Sequence, residues 1–345
     1  MVVRDIVVIG ASAGGIKAMR DMLAELPEKI PAAIFLVLHS SPDSPRLLTD
    51  ALTTPGAPLV RYAVNGEPFE RGVVHVAPPD LHMLVKSSGC IRLAFGPKEN
   101  RFRPAVDPLF RSAALAFGPR VAGVILSGGL DDGTAGLAAV KAAGGTAIVQ
   151  EPWEAEAPSM PQSALRHIAV DHCLPVRDIA GLLMRLSSSG GSLVTPPKEG
   201  GMPKKNLEIE VQIAKENRSY VPEILELGAP SMFTCPECHG TLLRLDDERV
   251  FRFRCHTGHA FTAHSLRAAL TDRTEDALWN SVRAIEESAM LLAHMAEHIN
   301  PLDDGEAAGE FRRSSEDALR RARAARALIP GERAATPRGL LVKLS

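Results

Sequence analysis

Short runs of apolar residues, most of them four to six long, alternate with amphipathic stretches through the first half of this chain. Ile6 to Ile9, Ile34 to Leu38, Val73 to Ala77, Val121 to Leu126 and Thr146 to Gln150 read as strands apolar on both faces. Residues 15–26, 45–53, 108–117 and 133–143 carry the three- and four-residue spacing of helices. Strand and helix in turn predict an α/β fold with a doubly wound, mostly parallel sheet. Met83 to Val85 and Ile91 to Phe95 flank Lys86-Ser87-Ser88-Gly89-Cys90 and predict an antiparallel hairpin added to that sheet.

The pattern changes near residue 187. Ser187-Ser188-Ser189-Gly190-Gly191-Ser192, followed by Pro196-Pro197 and Gly200-Gly201-Met202-Pro203, has the composition of a flexible connector. The expected organisation is therefore an α/β domain over 1–186, a linker over 187–206, a small cysteine-bearing module over 207–262 and a helical segment over 263–345. In that last segment 263–299 repeats Leu, Ile and Met at helical spacing. Glu310 to Leu328 reads as a second helix with a solvated Arg/Glu face.

Composition narrows the function. A net charge of −2 supplies no basic field to gather nucleic acid. No apolar run reaches the ~20 residues of a bilayer span and no secretion signal precedes the first strand, so a cytoplasmic protein without membrane insertion is expected. Of the five cysteines, Cys90 and Cys173 stand alone and read as small buried hydrophobes. The other three form a pattern: Cys235-Pro236-Glu237-Cys238, then Cys255 after sixteen residues and His259 after three more. That spacing suits two knuckles closing a tetrahedral zinc site. Four protein ligands leave no open position, so such a zinc would be structural. His239 and His256 compete with His259 for the fourth place.

In an open parallel sheet the carboxyl ends of the strands share one edge, where ligands bind. Three strand ends carry chemistry here. The first runs into Gly10-Ala11-Ser12-Ala13-Gly14-Gly15, the second into His39, and a third into Ser127-Gly128-Gly129-Leu130-Asp131-Asp132-Gly133. A dinucleotide fingerprint needs glycine where Ser12 stands, and the next strand ends in Leu38-His39 rather than an acid. A serine on a strand-to-helix turn beside free amides suits a nucleophile with an oxyanion hole, although helix capping is the plainer role for a lone serine. An imidazole at the same edge could take the serine proton, His39 being better placed than His75 or His82. Asp131 or Asp132 could orient that ring, and either could cap the following helix.

With Arg103-Pro104-Ala105-Val106-Asp107-Pro108-Leu109-Phe110 and Met160-Pro161, these motifs over about 1–186 together resemble the catalytic domain of bacterial chemotaxis protein-glutamate methylesterases. The resemblance implies Ser12 as nucleophile, His39 as general base and acid, and Asp132 as the orienting carboxylate, with oxyanion donors near Ala13 and in the Gly128 to Leu130 turn. It implies no catalytic cofactor. The substrate would be a γ-glutamyl methyl ester on the cytoplasmic helices of chemoreceptor-like proteins, with glutamine deamidation as a second activity. Ala13 stands where the family often has threonine, and Gly129-Leu130 where methionine then glycine are common. Met1 lies almost against the first strand, which implies a form without the family's receiver domain. Arg103 and Arg111 are candidates for docking an acidic receptor surface, or else solvated surface residues. Two other readings compete: a dinucleotide-binding regulator, and a zinc-anchored interaction protein with an inactive esterase fold.

Overall fold

Ile6–Ala11 is apolar at every position but one and buried along its whole length, which only a central strand covered on both faces allows. It forms β1 of the computed structural model, which describes residues 3–44, 46–188, 204–215, 222–245, 250–298 and 301–329. The linker read over 187–206 lies outside the described residues except at its two ends. The chain divides into two compact units, Met1–Leu266 and Arg267–Ser345.

In the first unit β1 is followed by α1 (Gly15–Ala24), β2 (Ala33–Leu38), α2 (Leu48–Leu52), β3 (Leu59–Tyr62), β4 (Val73–Val76), β5 (His82–Val85), β6 (Ile91–Ala94) and α3 (Val106–Phe117). Then come β7 (Val121–Ile125), α4 (Thr134–Ala142), β8 (Thr146–Gln150), α5 (Ser159–His167), β9 (His172–Leu174) and α6 (Val176–Ser188). Seven of these strands build one sheet in the order β3-β4-β2-β1-β7-β8-β9. Every pairing in it is parallel. The chain winds outward from β1 on one side, then returns to place β7 on the other, so the switch in strand order lies between β1 and β7. The fold class is thus the doubly wound sheet expected from the alternation. The hairpin β5-β6 also forms, as a separate two-stranded sheet rather than as an extension of the large one.

Both faces of the sheet are covered. Val7, Ile9, Ile34, Leu36 and Val124 point into a core closed by Met19, Met22 and Leu23 of α1 and by Ile179 and Leu183 of α6. Val8, Phe35, Val37 and Ile125 meet Leu109, Phe110 and Ala113 of α3 and Leu137 of α4 on the opposite face. Each fully buried Val, Leu, Ile, Phe or Met side chain among them contributes roughly 1.5–3 kcal/mol by area removed from water.

The first unit does not end with that domain. Helix α7 (Lys204–Lys215) packs Leu207, Val211 and Ala214 into the core beneath α3. Its Ile209 and Ile213 meet Leu243 and Leu245 of a second, antiparallel sheet. That sheet contains β10 (Gly228–Thr234), β11 (Thr241–Leu245), β12 (Arg252–Cys255) and β13 (Ala260–Thr262) in sequential order. One amphipathic helix thus packs against both the core of the parallel-sheet domain and the cysteine-bearing ribbon.

Two helices, α8 (Ala263–His298) and α9 (Pro301–Arg326), occupy the rest of the described chain. The Ser315 hydroxyl donates to the Ala289 carbonyl at 2.8 Å, and the Arg326 guanidinium lies over the Trp279 ring at 5.3 Å. Helix α9 begins nine residues before the Glu310 start read from periodicity. Proline at the first helical position followed by Asp303 and Asp304 is a helix-start signal, which the glycines at 305 and 309 hid. Among the described residues, no helix is long and apolar enough to cross a membrane.

Candidate functional site

Register brings the first two candidates together. Ala11 at the end of β1 pairs with Leu38 at the end of β2, so Ser12 and His39 leave adjacent strands side by side. Neighbouring strands lie about 4.8 Å apart, so the two residues start within one side-chain length of each other. The His39 amide donates back to the Ala11 carbonyl at 3.2 Å, and the Ser12 amide donates to the Ser127 carbonyl at 2.9 Å, tying in the strand end of β7.

The turn after β1 is shaped by its glycines. Gly14 has φ 72°, and a Cβ there would stand 2.6 Å from Glu156 Cβ and 2.7 Å from Ser127 Oγ. Ser127 pins this corner, donating its hydroxyl to the Ala13 carbonyl at 2.7 Å and accepting from the Ala157 amide at 2.9 Å. Gly128 passes so near Ser12 that a Cβ would lie 3.0 Å from Ser12 Cβ and 2.0 Å from Met160 Sδ. Helix α1 starts at Gly15 behind Gly14 with no side-chain cap, so Ser12 does not serve as the cap.

His39 meets Asp132. The imidazole Nε2 lies 2.7 Å from Asp132 Oδ2, both side chains nearly inaccessible to solvent. Nδ1 is buried with no hydrogen-bond partner among the described residues. An ionised Asp132 can only accept, so Nε2 carries the proton and Nδ1 keeps a free lone pair. Among the described residues no hydrogen bond joins Ser12 to His39; such bonds commonly tighten only once substrate is bound. The ring stacks on Phe102 at 3.7 Å between centroids, with 10° between planes.

Asp132 is held by more than the histidine. Oδ1 accepts from Asn100 Nδ2 and the Gly133 amide, each at 2.9 Å, and from the Asp107 amide at 3.3 Å. Oδ2 accepts from the Val106 amide at 2.7 Å beside His39. Burial pushes the Asp132 carboxyl upward, but His39 and the Val106 and Asn100 donors outweigh it and hold the group below the ordinary carboxylate range. Asp107, equally buried, is pushed up to about 7 by that burial and by the charge of Asp132 beside it. Asp131 points elsewhere, accepting the Thr262 hydroxyl at 2.7 Å.

The rival histidines are engaged in the core. His82 places Nε2 on the Pro97 carbonyl at 2.9 Å and Nδ1 on the Ala105 amide at 3.3 Å. His75 stacks on Phe35 and accepts the Glu70 amide at 3.3 Å. Two expectations need correction. Arg111 is neither a docking residue nor solvated, because it is fully buried and paired with Glu99 and Glu210. The Gly128 amide donates to the Ala157 carbonyl at 2.8 Å and is not free to bind an oxyanion. Arg103 is largely covered, bonded to Asp80 at 2.9 Å and to the Gly96 carbonyl at 2.8 Å.

Beside His39 opens a cleft of about 440 Å³, lined by Ile16, Leu38, Leu47, Tyr62 and Pro79 with Ser40, Ser41 and Ser44 at its polar side. It is large enough for an extended side chain and part of the backbone that carries it.

In the ribbon, Cys235, Cys238, Cys255 and His259 offer ligand atoms that all lie within 4.8 Å of one another. Cys235 Sγ and Cys255 Sγ stand 3.7 and 3.5 Å from His259 Nδ1, and Cys238 Sγ stands 3.6 Å from Cys255 Sγ. A tetrahedral zinc with ~2.3 Å bonds to sulfur and ~2.0 Å bonds to nitrogen needs ligand atoms roughly 3.5–3.8 Å apart, so the donor set fits that ion. His239 and His256 fall outside the group. The Thr257 hydroxyl donates to Cys238 Sγ at 3.0 Å, in the manner of an outer-shell partner.

Asn100, Phe102 and Thr262 escaped the sequence reading. Phe102 and Asn100 sit just ahead of the Arg103-Pro104 motif, and Asn100 has φ 50°, the left-handed region that asparagine tolerates.

Comparison with known proteins gives one consistent result. A family model described as CheB methylesterase matches residues 7–183. A Leptospira interrogans protein provisionally named protein-glutamate methylesterase/protein-glutamine glutaminase is 36% identical over 183 residues, 53% of this chain and 95% of that one. The Symbiobacterium thermophilum protein-glutamate methylesterase/protein-glutamine glutaminase is 37% identical over 187 residues, 54% of this chain and 52% of its own length. The crystal structure of the Thermotoga maritima CheB methylesterase catalytic domain matches with a TM-score of 0.51 at 34% identity, covering 53% of this chain and 98% of that one.

Proposed function

Because the chain belongs to the CheB methylesterase family, we propose that it hydrolyses γ-glutamyl methyl esters on the cytoplasmic helices of chemoreceptor-like proteins, with Ser12, His39 and Asp132 as its reacting set. The observation that carries the assignment is the His39–Asp132 hydrogen bond at 2.7 Å, formed on the strand end paired with that of Ser12.

Asp132 holds the Nε2 proton and leaves Nδ1 as the base. Nδ1 takes the Ser12 proton as the oxygen attacks the ester carbonyl, and the negative charge of Asp132 steadies the imidazolium that forms. The carbonyl oxygen becomes an oxyanion, for which the backbone amides of Ala13 and Gly129 are the assigned donors. Collapse of this intermediate breaks the carbon–oxygen bond to the methoxy group, which leaves as methanol with the proton from His39. Water, deprotonated by the same nitrogen, then attacks the acyl-enzyme, freeing a glutamate carboxylate and restoring Ser12. Glutamine enters the same path with ammonia leaving in place of methanol, which accounts for both activities in the relatives' names. The substrate side chain lies in the cleft beside His39. Receptor helices of that kind place the enzyme in the cytoplasm.

The ribbon binds one structural zinc through Cys235, Cys238, Cys255 and His259. Four protein ligands leave no place for substrate water, so the ion supplies fixed geometry to the ribbon loops. The reaction itself uses no cofactor.

The test is methanol release from methylated receptor fragments by the wild type, Ser12→Ala and His39→Ala. Release that falls to background in both variants supports the assignment, and equal release from all three overturns it.

A further inference from the structure

Asn100 lies where the ribbon meets the catalytic carboxylate, and every hydrogen-bonding capacity of its side chain is taken. It is 3% exposed. Its Nδ2 donates to Asp132 Oδ1 at 2.9 Å and to Asp107 Oδ2 at 3.0 Å. Its Oδ1 accepts from the Thr262 amide at 3.0 Å and the Ser265 hydroxyl at 3.1 Å, both contributed by the chain just beyond the ribbon's metal-ligand loop. An amide drawn on one edge by two carboxylates and on the other by two donors has a single orientation.

The backbone around Asn100 is gripped by the same ribbon. Ala260 directly follows His259, its amide donates to the Lys98 carbonyl at 3.2 Å, and the Asn100 amide donates to the Ala260 carbonyl at 2.8 Å. From the other side of the loop Arg254, which directly precedes Cys255, donates to Glu99 at 3.1 Å and to the Gly258 carbonyl at 2.7 Å. Two of the four metal ligands are therefore each one residue from a group that clamps the Glu99–Asn100 segment. The path from the ligand loop to the catalytic histidine runs His259, Ala260, Asn100, Asp132, His39.

We propose that Asn100 is a positioning residue through which the metal-loaded ribbon holds Asp132 in register with His39, so that loss of the ion slows ester hydrolysis without removing any reacting group. The proposal rests on the zinc reading given above. With the ion bound, residues 255–259 are fixed, β13 stays on the 98–100 segment and the Asn100 amide keeps its grip. Without it the ligand loop loosens, and Asp132 loses one of the three donors on Oδ1, the one that comes from a side chain. Apart from His39 itself, the residues lining the cleft lie off this path, so the effect falls on kcat rather than KM.

The test uses the full chain. Elemental analysis of the purified protein comes first: one zinc per chain is expected, and its absence overturns the zinc reading and this coupling before any kinetics are read. Stripping the wild type with a chelator lowers kcat about tenfold with KM within about twofold, the order expected for one lost hydrogen bond to a charged group, and added zinc restores it. In zinc-loaded Asn100→Ala kcat has already fallen by about the same factor, and stripping changes it less than about twofold, the non-additivity of two perturbations on one path. The Asn100 contacts hold the ribbon in its metal-binding form, so zinc held against a competing chelator is also weaker in Asn100→Ala, although linkage fixes no ratio between that loss and the change in kcat. Ser265→Ala, a gentler change at the same amide, shifts kcat and zinc affinity together in the same direction and serves if Asn100→Ala does not fold. Zinc present with kcat indifferent to its removal, equal effects of stripping in the wild type and Asn100→Ala, or unchanged zinc affinity in both variants overturns the proposal.

Discussion

Exchanging Asp132 for asparagine replaces one carboxylate oxygen by an NH2 group with almost no change in volume, yet the site cannot accommodate it. Five donors converge on the carboxylate: Asn100 Nδ2 and the Gly133 and Asp107 amides on Oδ1, the Val106 amide and His39 Nε2 on Oδ2. An amide nitrogen at the Oδ1 position would face three donors, so it must settle at Oδ2. There it opposes the Val106 N–H and presents a hydrogen to His39 Nε2. A buried donor left without an acceptor costs about 1–3 kcal/mol. To accept that hydrogen the imidazole must move its own proton to Nδ1, the nitrogen that receives the Ser12 proton. Reversing the tautomer in this way lowers kcat by about 10⁴-fold in serine proteases, and the buried, solvent-excluded setting here predicts a loss of about 10³-fold or more, with KM little changed. Steady-state methanol release from a methylated receptor peptide measures the loss of kcat, and a thermal melt measures the cost of the buried donor. Retention of a tenth of wild-type kcat by Asp132→Asn would refute both the tautomer assignment and the role given to the carboxylate.

Three further perturbations follow from neighbouring contacts. Gly128→Ala places a Cβ 2.0 Å from Met160 Sδ and 3.0 Å from Ser12 Cβ, so it lowers stability by about 1–3 kcal/mol and kcat with it, seen in melts and methanol release. Phe102→Ala removes the face on which the His39 ring lies, worth about 0.5–1.5 kcal/mol beyond area, and is expected to reduce kcat several-fold while KM holds. Burial raises the Glu99 and Glu210 carboxyls, but Arg111 and Arg254, joined at Glu210 by Arg252, outweigh it and hold both below their ordinary value. Their contribution to stability is thus complete above about pH 5 and is lost as the pH falls through the native values. Glu210→Gln is expected to flatten the acid limb of denaturant midpoints against pH and to lower neutral stability by about 3–5 kcal/mol, because three buried guanidiniums lose a counter-charge.

What the sequence made legible is what local pattern encodes. Continuous apolar runs marked β1, β2 and β7, and the residues that follow such runs on a doubly wound sheet converge at its carboxyl edge, which brought out Ser12, His39 and the Asp131-Asp132 pair. Choosing Asp132 needed the family resemblance, since spacing favours neither. Strand β3 was missed because Leu59-Val60-Arg61-Tyr62 is a short edge strand with two residues only partly covered. The role of Asn100 had no local signal at all: its partner Thr262 lies 162 positions away, and a single asparagine in a left-handed turn reads as turn chemistry. Arg111 was misjudged for a similar reason, because its partner Glu210 sits on α7, beyond the linker, where no periodicity ties it to α3.

The central claim is that Ser12 is the atom acylated, activated by His39. Mass spectrometry of the full chain after reaction with a serine-directed phosphonate ester tests it most directly. One adduct, on Ser12, abolished in Ser12→Ala and much slower in His39→Ala, is the predicted result. A stable adduct on any other residue, or labelling of Ser12 at the same rate with alanine at position 39, would contradict it.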